Sequence, residues 1–173
     1  LRFLLIKFYN HIGAVGPSQV AHAGLELKHI QLDSLGYLIS RHIASCGHFN
    51  ETAKYFRNTL RFFHGNYKDT IDHIISAYRC GSFDKIREFI KLRDRLSASQ
   101  HFASISVEQK LLDLLTETQL HGQTVQMMSC LEIDIDKHTP DWSGLTDNRD
   151  FKAIHSWDPN ERALNDELIS ESF

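Results

Sequence analysis

Three residues within seven positions carry ligand chemistry: His42, Cys46 and His48. A thiolate and two imidazoles suit zinc, and the spacing of four between His42 and Cys46 puts both on one helix face. His48 lies beyond Gly47, however, and no fourth ligand is near. The expected role of Cys46 is therefore that of a small packed residue beside a turn. Glu132, Asp134 and Asp136 alternate like calcium ligands but lack the loop glycine and the terminal glutamate, which leaves a solvated acidic loop. Asn50-Glu51-Thr52 has the form of a glycosylation acceptor, yet Asn50 as a helix cap explains the same residues. No GxSxG elbow, phosphate loop, HExxH or paired carboxylate stands in a helical or strand context. Cys46, Cys80 and Cys130 form no CxxC pair, so a reducing, intracellular setting is expected. Nothing here predicts a metal, a cofactor or a catalytic centre.

What remains is recognition by charge and by aromatic anchors. Arg87, Lys91 and Arg95 recur at four-residue spacing and form a basic stripe, expected on the helix face opposite Phe83, Ile86 and Ile90. Such a stripe suits phosphate or an acidic partner surface. Lys7, Arg41 and Ile75 fall 34 residues apart, as do His11, Ser45 and Arg79. If these registers line a groove, Lys7, Arg41 and Arg79 favour an acidic or extended peptide. Trp142 and Trp157 stand in the acidic C-terminal part, where aromatic residues are the usual anchors of an interface.

The elements that must position these groups are helices. The chain has 173 residues, 42% hydrophobic and 24% charged, the balance of a protein with a buried core. Its net charge of -3 argues against a dedicated, sequence-specific nucleic-acid binder, and no apolar run reaches the ~20 residues a membrane span needs. A first residue other than Met is expected of an internal fragment. Residues 1–131 hold 15 Lys/Arg and 11 Asp/Glu, whereas residues 132–173 hold 4 and 11. The expected division is a helical-repeat body over 1–131 and an extended, acidic, Trp-containing segment over 132–173, docked on the body or on a partner. Apolar residues recur at three and four positions around Leu35 to Ile43, Phe83 to Ile90 and Leu111 to Leu115. Breaks are expected at Gly13 to Pro17, Gly47 to Asn50, Gly65–Asn66 and Gly81–Ser82, with Asn50 and Ser82 as caps. Ser97 to Glu117 reads as one longer helix.

Gly13, Gly47 and Gly81 repeat at intervals of 34, and two positions after each comes an apolar residue, Val15, Phe49 and Phe83. That period belongs to tetratricopeptide hairpins, which cannot bury their apolar faces alone and stack into a right-handed α-α superhelix. Each glycine is expected to end a helix in a left-handed turn, with the following apolar residue wedged between the two helices. The fold class is all-α, built of degenerate repeats of this type.

The run Lys28-His29-Ile30-Gln31, with Asp33, Gly36-Tyr37-Leu38 and Arg41, resembles the non-catalytic auxiliary subunit of the N-terminal acetyltransferase B complex (NatB). So do Arg61-Phe62-Phe63, Lys68-Asp69-Thr70, Ala77-Tyr78 through Leu96, His101-Phe102-Ala103, Leu111 to Leu115, Asp147 to Asp150 and Ser156 to Pro159. The resemblance runs from about residue 10 to 162 and excludes Gln119 to Ser129. It implies a superhelix that wraps a catalytic acetyltransferase subunit, sits near the ribosome, and supports acetylation of nascent chains starting Met-Asp, Met-Glu, Met-Asn or Met-Gln. It implies no catalytic groups of its own. Gln119 to Thr124, the nearest approach to an acetyl-coenzyme A loop, follows a helix and ends in Thr. The rival reading is a free-standing peptide-binding adaptor with no acetyltransferase partner.

Overall fold

A computed structural model describes residues 1–117, 122, 125, 126, 128, 129 and 142–153. Over residues 1–117 seven helices follow one another: α1 (Arg2–His11), α2 (Val15–Ala23), α3 (Gln31–Leu35), α4 (Tyr37–Ser45), α5 (Phe49–Arg79), α6 (Phe83–Ser97) and α7 (Gln100–Glu117). Short 3-10 turns cover Trp142–Gly144 and Phe151–Ala153. Among the described residues there is no strand, only an isolated bridge between Ser99 and Thr146.

The three glycines at intervals of 34 make three like turns. Gly13, Gly47 and Gly81 have φ of +72°, +77° and +71°, the left-handed region that a side chain resists. Each is followed by one linking residue, Ala14, His48 or Ser82, with φ of -83°, -81° or -89°, and the next helix then begins. At Gly13 the N–H donates to Asn10 O and the next N–H to Tyr9 O; at Gly81 the same pair reaches Tyr78 O and Ala77 O. These are Schellman bonds, satisfying carbonyls that a helix end leaves open. His48, not Asn50, is thus the residue before α5, because the left-handed glycine allows only one linking residue; Asn50 sits in the first helical turn.

Two further expectations are corrected. Phe49 and Phe83 do not wedge between helices: they are 44% and 61% exposed, whereas Val15 at the equivalent position is buried. Val15 is covered by Ile39 and Ile43 of α4, whereas Phe83 packs edge-on against Tyr78, ring centroids 5.8 Å apart, and stays exposed. The chain also does not break at Gly65–Asn66, since α5 runs unbroken for 31 residues. An interior glycine costs a helix only ~1 kcal/mol, less than the packing of Phe63 and Thr70, both buried on its flanks.

Helices α6 and α7 return antiparallel along α5. His73 stacks on Phe89 and Arg93 lies over Tyr67, so α6 covers the C-terminal half of α5. Phe63 meets Phe102, and Phe56 clusters with Ile105 and Leu112, so α7 covers the N-terminal half. Val15, Ile39 and Ile43 form a second cluster that joins the first through Tyr55. The return is not one helix from Ser97: it breaks at Ala98–Ser99, and Ser99 Oγ accepts from Phe102 N–H as the cap of α7.

Candidate functional site

Among the described residues no three metal-ligating side chains converge. His42 and Cys46 do meet on the last turn of α4, with Sγ 3.9 Å from the ring Nε2. Desolvation holds the His42 imidazole below its ordinary pKa. His48 lies across the turn, 4.0 Å from Glu51. Cys130, Glu132, Asp134 and Asp136 fall outside the described residues.

The basic residues divide into separate places. Lys7 is half-buried on α1 and Arg41 is exposed on α4. Arg41 faces Glu108 of α7, whose carboxyl is pushed up by burial and drawn back by the guanidinium. Arg79 closes the far end of α5. Because α4 packs on α5 near Ala53 to Phe56, the rise of 1.5 Å per residue carries Arg79 roughly 35 Å along the helix from that contact. The unbroken α5 therefore does not bring Arg79 beside Arg41, and Lys7, Arg41 and Arg79 are not neighbours in one groove.

Arg87 and Lys91 are exposed on α6, but not opposite the apolar residues named with them. Phe83 and Ile90 share their outward side, 61% and 39% exposed, while Ile86 is half-buried. Ile75, Tyr78 and Arg79 are exposed at the end of α5, and Tyr78 meets Phe83 across the Gly81 turn. Lys85 is occupied by Glu88, 2.8 Å away.

Arg95 belongs elsewhere. Its Nε donates to Asn148 Oδ1 at 2.5 Å, and Asn148 Nδ2 donates to Asp33 Oδ2 at 2.9 Å and to Arg95 O at 3.2 Å. Ser99 Oγ donates to the other Asp33 oxygen at 2.5 Å. Asp33 is buried, and desolvation raises its pKa against the pull of these donors and of Arg95. The extended stretch 145–150 is thereby stitched as a strap across the helix break. Thr146 N–H donates to Ala98 O, Gln100 N–H donates to Thr146 O, and Asp150 N–H donates to Ser34 O. Tyr37 Oη donates to Asp150 O, and Phe151 packs on Tyr37 with Arg149 over its outer face. Docking of this acidic part on the body is expected from the sequence, but its anchoring through Asp33 and Asn148 is not, since there they are merely two polar residues in segments of family resemblance. Trp142 opens the turn that precedes the strap; Trp157 lies outside the described residues.

A cleft of about 520 Å³ opens between the loop before α3, the middle of α5 and the inner side of α6. Phe62, Phe89, Leu92 and Leu96 line its apolar wall, and Asp69 and Asp72 stand at its rim. Residues so far apart in sequence gave no signal of it.

Comparison with known proteins agrees with the resemblance. The family model described as the N-acetyltransferase B complex (NatB) non catalytic subunit matches residues 1–151. The chain is 39% identical over 166 residues to N-alpha-acetyltransferase 25, NatB auxiliary subunit, of Homo sapiens, covering 96% of this chain and 17% of that protein. It is 35% identical over 172 residues to the phagocyte signaling-impaired protein of Aedes aegypti, covering 99% of this chain and 18% of that one. With the NatB auxiliary subunit NAA25 of Arabidopsis thaliana the identity is 23% over 113 residues, 65% of this chain and 11% of the relative. The chain thus spans less than one fifth of the length of the curated relatives it matches.

Proposed function

The chain belongs to the family of the NatB non-catalytic subunit, and from that premise we propose that it is part of the scaffold on which a catalytic acetyltransferase subunit is held. The observation that carries this reading is the family match over residues 1–151, nearly the whole described structure. The protein containing it would support acetylation of nascent chains starting Met-Asp, Met-Glu, Met-Asn or Met-Gln, near the ribosome and in the cytoplasm. Its chemistry would be contact rather than catalysis. A stack of tetratricopeptide-type hairpins in a superhelix is the architecture proposed for the longer protein, and the three like turns at intervals of 34 support it. No described helix is long and apolar enough to cross a membrane.

Within this chain the patch around the Gly81 turn is the proposed partner-binding surface. Tyr78, Phe83 and Ile90 supply exposed apolar area, while Arg79, Arg87 and Lys91 give it positive sign. Exposed aromatics and arginines are the residue types that dominate interfaces, and the flanking charges select an acidic partner surface. Lys7, Arg41, Trp142 and Trp157 are proposed as secondary contacts, and Arg95 as the residue that holds the strap. The test is co-purification of the full-length protein with its catalytic subunit, using Arg79→Glu with Arg87→Glu. At least tenfold weaker association is expected. Unchanged association would remove the patch from the interface.

A further inference from the structure

We propose that the cleft between α5 and α6 is a docking site for a basic amphipathic segment of a partner protein, which inserts an aliphatic side chain and sets Lys or Arg beside it. The volume of about 520 Å³ lies within the range of sites that hold a ligand. Its wall is apolar at Phe62, Phe89 and Leu92, and the His73 ring stacks on Phe89 with centroids 5.4 Å apart and planes at 17°, extending that wall. Apolar surface of this kind rewards insertion of a side chain that leaves water.

The rim selects the sign of the occupant. Asp69 and Asp72 are both exposed and sit one turn apart on α5. Among the described residues neither has an ion-pair partner, although Lys68 stands at the helical spacing that would suit Asp72. Arg93 of α6 is turned to the Tyr67 ring and to Asp94. Two unneutralised carboxylates beside an apolar wall, in a body where Lys and Arg outnumber Asp and Glu, form a local reversal of sign. Such charges add selectivity and association rate, and the apolar insertion adds affinity. The rim between Asn66 and His73 spans about 11 Å of helix, by the rise of 1.5 Å per residue, which suits a segment of two or three turns rather than a single small ion. This site is separate from the Gly81-turn patch and takes a partner surface of opposite charge.

The test uses the full-length protein and three fluorescein-labelled helical peptides, read by anisotropy. One carries leucines on one face flanked by lysines; the second has glutamate for each lysine; the third has serine for each leucine. The first peptide is expected to bind at least tenfold more tightly than the other two. Asp69→Asn with Asp72→Asn should weaken it about tenfold, while Asp84→Asn, an exposed acid outside the cleft, should leave it unchanged. Equal binding of the glutamate or serine peptide overturns the proposal. So does undiminished binding by the Asp69 and Asp72 variant, or release of a self-associated dimer by that variant, which would assign the cleft to a second copy of the chain.

Discussion

Acidification should loosen the junction of α5 and α7 through one residue, His101. Its side chain is buried, its Nε2 has no hydrogen-bond partner, and its ring lies 6.5 Å from that of Phe63. Burial above all, with the Arg149 charge adding to it and Asp147 partly offsetting it, lowers its pKa from 6.5 to about 4. The folded state therefore binds fewer protons than the unfolded state between those values, and stability falls as pH falls through that window. A gap from 6.5 to about 4, at ~1.4 kcal/mol per pH unit, is about 3 kcal/mol. His22, also lowered by burial, acts in the same direction, whereas Asp33 and Glu108, raised by burial, act against it. The assay must isolate His101. Hydrogen exchange of the α7 amides, corrected for intrinsic exchange rates, reports local opening. Protection should drop about a hundredfold between pH 6.5 and 4, by the same ~1.4 kcal/mol per factor of ten. In His101→Gln most of this dependence should vanish. An identical pH dependence in the variant would refute the argument.

Two glycines separate steric from conformational constraint. A Cβ on Gly36 would stand 2.5 Å from His101 Nε2 and 2.7 Å from Tyr55 Oη, so Gly36→Ala should cost about 2–4 kcal/mol in thermal or denaturant unfolding. A Cβ on Gly47 meets nothing within 4 Å, but its φ of +77° should still cost Gly47→Ala about 1–2 kcal/mol. Asn148→Ala should leave Asp33 and Arg95 short of partners, destabilise the junction by about 1–3 kcal/mol, and expose 145–153 to limited proteolysis at neutral pH; unaltered cleavage would show that the strap is held by its backbone bonds alone.

Local rules were legible because each is written within a few residues. The left-handed turns at Gly13, Gly47 and Gly81 follow from a residue type that tolerates positive φ, placed where helical periodicity stops. The unbroken α5 was not legible, since Gly65–Asn66 reads as a break and only the packing of Phe63 and Thr70 decides otherwise. Outward placement of Phe49 and Phe83 contradicts the hydrophobic pattern for the same reason: what covers a side chain is a tertiary matter. The bond between Asp33 and Asn148 spans 115 residues, a separation that no periodicity encodes. Arg95 looked like one of three equivalent cations until Asn148 claimed it.

The central claim, a scaffold role beside an acetyltransferase, is tested most directly by purifying the full-length protein from cytosol and assaying what comes with it. Acetyl transfer to Met-Asp peptides but not to Ser-Pro peptides is the expected result. Recovery of partners without any acetyl transfer would contradict it, and would leave a helical adaptor that captures peptides.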